Sequence, residues 1–112
     1  MSSKNENTAL TEAVFYILLS LLEPLHGYGI IQNVVDLTDN RVNLAPGTLY
    51  GALNTLQDKG LIRPYQPDDD SRRKEYIITR LGKEALVEDL KRLKELVKNG
   101  QKLIGDEINE GN

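Results

Sequence analysis

The sequence predicts a mainly α-helical domain with one small β-hairpin and a long helix near its C-terminal end. Three observations carry this. Residues 10–22 are strongly apolar with polar positions at helical spacing, residues 46–60 hold both a helix start and a helix stop, and residues 86–104 carry an apolar repeat of heptad type. At 112 residues the chain supports one modest core, because a domain of this size buries only about 60–70% of its unfolded surface.

The first helix is expected from near Thr8 to just before Pro24. Glu12, Tyr16, Ser20 and Glu23 form a narrow polar stripe, while Val14, Phe15, Ile17, Leu18 and their neighbours are apolar. A helix apolar on most sides must be buried on most sides. It is either a central core helix or one shared between its own core and a second subunit. Residues 23–27 are expected to form a turn, followed by a short amphipathic helix with Ile30, Ile31, Val34 and Val35 on its apolar face. Residues 36–43 then read as a polar connection rich in turn formers.

The third helix has the clearest signals. Pro46 suits the first helical position, and Leu49, Ala52, Leu53 and Leu56 make one apolar stripe. Gly60 is placed to end the helix in a left-handed conformation, with Leu61 folding back on Leu56. Ala45 falls at the N-cap, where it forgoes roughly 1 kcal/mol relative to Ser or Asp.

Two short strands are expected next, near residues 62–66 and 75–79. Pro64 and Pro67 restrict the first of them to a sheet edge. Thr79 is placed to cap the final helix. In that helix Leu86, Leu90, Leu93, Val97 and Ile104 form a heptad-like seam, flanked by Glu88–Arg92 and Glu95–Lys98 pairs on a solvated face. Three short helices, a hairpin and a long helix are the layout of a winged helix-turn-helix with a C-terminal dimerisation helix. The boundaries are a tail at residues 1–7, the winged domain at 8–80, the dimerisation helix at 81–104 and a frayed tail at 105–112.

Composition removes several functions. The sequence has no cysteine, so disulfides and Cys-based metal or redox centres are excluded. His26 is the single histidine, with no second histidine to complete a metal site. The Asp68–Asp70 run lacks the glycine and terminal glutamate of a calcium loop. No cofactor, metal or enzymatic role is expected. The stretch from Ala13 to Leu22 is too short to span a bilayer, residues 1–7 are polar, and the cytoplasm is the expected compartment.

The net charge of −3 hides a local basic block. Residues 1–60 carry three basic and six acidic side chains, whereas residues 61–80 carry five and four, with Arg72, Arg73 and Lys74 in succession. Binding to DNA needs a basic footprint on one face rather than a basic total. With Leu49, Leu53 and Leu56 inward, the third helix turns Gly47, Gly51 and Asn54 outward, with Thr48 and Tyr50 on the flanks. The N-terminal part of such a helix reads base edges in the major groove. Asn54 suits adenine, and Thr48 and Tyr50 suit bases or phosphates. Arg72, Arg73 and Lys74 at the tip of the hairpin reach phosphates or the minor groove. The same layout also serves protein–protein contacts, and steep salt dependence of DNA retention separates the two readings.

Four blocks now point to a family: His26-Gly27-Tyr28-Gly29-Ile30, Ala45-Pro46-Gly47-Thr48-Leu49-Tyr50-Gly51-Ala52-Leu53, Gly60-Leu61-Ile62, and Arg73-Lys74-Glu75-Tyr76-Ile77-Ile78-Thr79-Arg80-Leu81-Gly82. Together, and in this order over residues 8–98, they resemble the compact members of the PadR family of regulators. The resemblance implies a homodimeric repressor on a palindromic operator, with Tyr28, Thr48 and Tyr50 on DNA and Arg72, Arg73 and Lys74 as wing contacts. It also implies a dimer built by the first and last helices, here through Val14, Phe15, Leu18, Leu86, Leu90, Leu93 and Val97. A small aromatic or drug-like effector would bind near that interface, where Phe15, Leu93, Leu96 and Val97 are the candidates. Two departures stand out. Ala45 replaces the small polar residue common before Pro-Gly-Thr-Leu-Tyr, and the chain has no tryptophan with which to stack a flat ligand.

Overall fold

Residues 9–65 and 74–105 are described by the computed structural model. They run α1 (Glu12–Ser20), β1 (Leu25–His26), α2 (Gly27–Leu37), α3 (Pro46–Asp58), β2 (Ile62–Tyr65), β3 (Glu75–Ile78) and α4 (Arg80–Ile104). The expected tail at 1–7 and all but Gly105 of the expected tail at 105–112 lie outside the described residues, as do Arg72 and Arg73.

α1 begins later than its apolar pattern suggests. Thr11 is the N-cap, and its hydroxyl accepts the Val14 N–H at 3.1 Å. The helix stops at Ser20, so Leu21 and Leu22 extend the apolar run without extending the helix. The expected turn at residues 23–27 is also corrected. Leu25 and His26 form a two-residue strand, antiparallel to Tyr76 and Glu75. The sheet therefore has three strands in the order β1-β3-β2. β2 lies at an edge of the sheet, the position where a strand tolerates a proline such as Pro64.

α3 keeps its expected signals. Ala45 caps it without a side-chain bond. At the other end the Leu61 N–H reaches the Leu56 carbonyl at 3.0 Å, and the Gly60 N–H reaches that of Gln57 at 3.0 Å. This bond pair is the Schellman arrangement. Gly60 has φ +77°, a conformation that costs a side-chain-bearing residue roughly 1 kcal/mol or more. Thr79 caps α4 by accepting the Gly82 N–H at 3.1 Å, and its hydroxyl donates to the Gly60 carbonyl at 2.7 Å. One threonine thus ties the start of α4 to the end of α3.

Among the described residues the core is a single cluster. Ile17, Leu18 and Leu21 meet Ile30 and Val34 of α2, Leu49, Leu53 and Leu56 of α3, and Ile62, Tyr76 and Ile78 of the sheet. α4 packs on α1 and β3 but enters the core only with its first turns, through Leu86. Ion pairing along α4 differs from the expected Glu88–Arg92 pair. Lys91 pairs with Glu88 at 3.4 Å, and Arg92 pairs with Asp89 at 2.8 Å. Asp89 is only 1% exposed, so Arg92 turns toward the buried carboxylate.

Candidate nucleic-acid interface

The candidate interface comprises the first turns of α2 and α3 and the wing strands. α3 starts with a proline and has no side-chain cap, so the N–H groups of Gly47 and Thr48 have no partner within the helix. Such N–H groups, with the positive end of the helix dipole, favour a phosphate. Thr48, Gly51 and Asn54 are exposed, and nothing lies within 4 Å of a Cβ built on Gly47 or Gly51. The face predicted to read DNA is therefore open. Tyr28, in the first turn of α2, is 70% exposed, with its phenol available for a phosphate.

Tyr50 behaves differently from its neighbours. It is 48% exposed, yet its phenol lies over Gly27 at the start of α2. Its ring bridges two helices rather than projecting freely from α3. Tyr76, buried on β3, has its phenol pushed above the usual value by burial and, to a smaller degree, by the charge of Tyr50.

On the wing, Lys74 is exposed just before β3. Arg63 adds a cation that the sequence pattern alone does not single out. It is exposed on β2 next to buried Ile62, as strand alternation requires. That alternation is the available signal, obscured because Pro64 follows immediately. Away from these cations in sequence, Arg41 pairs with Glu12 and links the α2–α3 connection to the start of α1. The Arg41 hydrogen bond holds the Glu12 carboxyl below its ordinary value, and the same bond raises Arg41.

The residues expected at a subunit interface divide into two groups. Leu18 is fully buried and Leu86 is 7% exposed; both sit inside the core of one chain, which corrects their placement at an interface. Val14, Phe15 and Leu93 are half-buried, whereas Leu90, Leu96 and Val97 are exposed. Phe15 packs edge-on against Tyr16, with ring centres 6.1 Å apart. A shallow cavity of about 220 Å³ lies along α4, lined by Arg80, Lys83, Glu84, Val87 and Glu88. None of the four candidate effector residues lines it. Among the described residues no cluster of three or more His, Cys, Asp or Glu side chains can hold a metal ion. Among them, too, no helix is long and apolar enough to cross a membrane.

The PadR-like transcriptional regulator family model matches residues 16–88, which contain α2, α3, all three strands and the first turns of α4. The chain belongs to the PadR-like family. Its fold is shared with the PadR family transcriptional regulator of Eggerthella lenta, at a TM-score of 0.68 and 28% identity over 82% of this chain and 80% of that one. A PadR family transcription regulator from Clostridium difficile R20291 aligns at a TM-score of 0.66 and 28% identity, over 82% and 98% of the two chains. In sequence the chain is 37% identical over 76 residues to an uncharacterized 37.1 kDa protein in transposon TN4556 of Streptomyces fradiae. That match spans 67% of this chain but 21% of the relative. Its winged-helix fold with a long C-terminal helix is that of PadR-like transcriptional regulators.

Proposed function

We propose that this PadR-like regulator acts in the cytoplasm as a homodimeric repressor of a palindromic operator. α3 enters the major groove with Thr48 and Asn54 facing bases, and Tyr28 bonds to phosphate. Arg63, Arg72, Arg73 and Lys74 of the wing neutralise the flanking backbone. The observation that carries this reading is the division of the molecule into two open surfaces of opposite character. α3 exposes Thr48, Gly51 and Asn54, while α4 beyond Asp89 leaves Leu90, Leu96, Val97 and Ile104 about half exposed. A lone helix with that apolar row is unfavourable in water, and a second copy of α1 and α4 covers it through Val14, Phe15, Leu90, Leu93 and Val97. A small aromatic effector binding among Phe15, Leu93, Leu96 and Val97 would change the angle between the two protomers and release DNA.

The test is a genomic-fragment pulldown with the purified protein, followed by shift assays on the recovered fragment at two salt concentrations. Two half-sites about 34 Å apart, with binding that falls steeply with salt, support the reading. Binding to no fragment overturns it.

A further inference from the structure

Gly27 is buried at the first position of α2. Its backbone is not left-handed, since the glycines with positive φ are Gly60 and Gly105 among the described residues. Conformational freedom therefore does not explain a glycine here. Space does. A Cβ built on Gly27 lies 2.7 Å from Cζ of Tyr50 and closer still to the hydroxyl, well inside van der Waals contact. The Tyr50 ring occupies the volume that any side chain at position 27 needs. Gly47 and Gly51, on the open face of α3, have no such neighbour.

We propose that Gly27 is a socket for the Tyr50 ring, and that this contact positions the reading face of α3 against α2. The proposal rests on the DNA-binding reading of α3. Tyr50 stands on α3, and its phenol lies on the first turn of α2. One ring thus joins the helix that reads DNA to the helix that precedes it. Gly27 itself makes no DNA contact. Its role is to leave room for the ring, and Tyr50 serves as a joint while Thr48 and Asn54 face the groove.

The socket makes an unusual demand on mutants. Gly27→Ala adds one methyl group at a helical position, where alanine is favoured over glycine. The atoms that must move are the far end of a half-exposed side chain, so the domain stays folded and the ring is expelled. Affinity is measured for wild type, Gly27→Ala, Tyr50→Ala, Tyr50→Phe and the Gly27→Ala/Tyr50→Ala pair. The probe is a duplex selected by wild-type protein from a random-sequence pool. Gly27→Ala and Tyr50→Ala each weaken binding roughly tenfold, as expected for coupled neighbours, with unchanged circular dichroism. The double variant binds no worse than Tyr50→Ala alone, because the methyl then meets nothing. Tyr50→Phe keeps the ring and binds within about twofold of wild type. Losses that multiply in the double variant overturn the socket, and so does a Gly27→Ala protein that binds like wild type. A wild-type protein that selects no duplex overturns the DNA reading itself, a result distinct from either of these.

Discussion

Asp89 on α4 accepts the backbone N–H of Leu10 at 3.2 Å, across 79 positions of sequence. The same oxygen accepts from Arg92 Nε at 2.8 Å. The carboxylate thus pins the chain just before α1 onto the helix that α1 packs against. Asp89→Ala leaves the Leu10 N–H and the Arg92 guanidinium without this partner. Loss of a buried acceptor costs about 1–3 kcal/mol, read as a lower urea midpoint at unchanged slope. Arg92→Ala costs less, since its side chain is 31% exposed and water replaces part of the interaction. Equal stability of wild type and Asp89→Ala would show that the clasp carries no weight.

That clasp also shows what the sequence can and cannot disclose. The Gly60–Leu61 stop and the Thr79 cap are legible because each acts at a fixed offset of a few residues. β1 is not legible: two residues have no periodicity, and Leu25 and His26 become a strand only because β3 offers an open edge. Asp89 reads as one more charge on a solvated helix, because its partner at Leu10 is set by packing and not by spacing. The open face of α3 follows from its leucine stripe. The Tyr50 ring does not, since its resting place lies on another helix.

Tyr76 links the wing to alkaline stability. Burial, and secondarily Tyr50, holds its phenol proton to higher pH than in the unfolded chain. A folded-state value above the unfolded one means the stabilisation is complete below the ordinary phenol value. It is lost as pH rises through the raised value. Ultraviolet titration should show a tyrosine ionising above the ordinary phenol value, and Tyr76→Phe should remove that late step. Urea midpoints of Tyr76→Phe should then fall less steeply between neutral and alkaline pH. An unchanged late step in Tyr76→Phe would assign it to another tyrosine.

The wing cations make a prediction about slope rather than specificity. Removing one cation that neutralises a phosphate lowers the dependence of log affinity on log salt by about 0.9. Replacing Arg72, Arg73 and Lys74 with alanine therefore flattens the slope by up to about 2.7 and weakens all duplexes alike. Thr48→Ala and Asn54→Ala should instead leave the slope nearly intact and relax base preference at single positions. A triple variant with wild-type slope would remove the wing from the DNA interface.

The apolar row on α4 passes from the core to the proposed subunit interface within two turns. Leu86 is 7% exposed and belongs to the core, whereas Leu90, one turn later, is 46% exposed in the single chain. Leu86→Asp buries an unpaired charge among Leu18 and its neighbours, and should unfold the protein by circular dichroism. Leu90→Asp puts its charge where one chain leaves water access, so a monomer tolerates it. In the proposed dimer the same charge would be buried in an apolar seam, and association fails. Light scattering should therefore give half the wild-type mass for Leu90→Asp, with helicity largely kept. Wild-type mass and stability in Leu90→Asp would move the interface away from this row of α4.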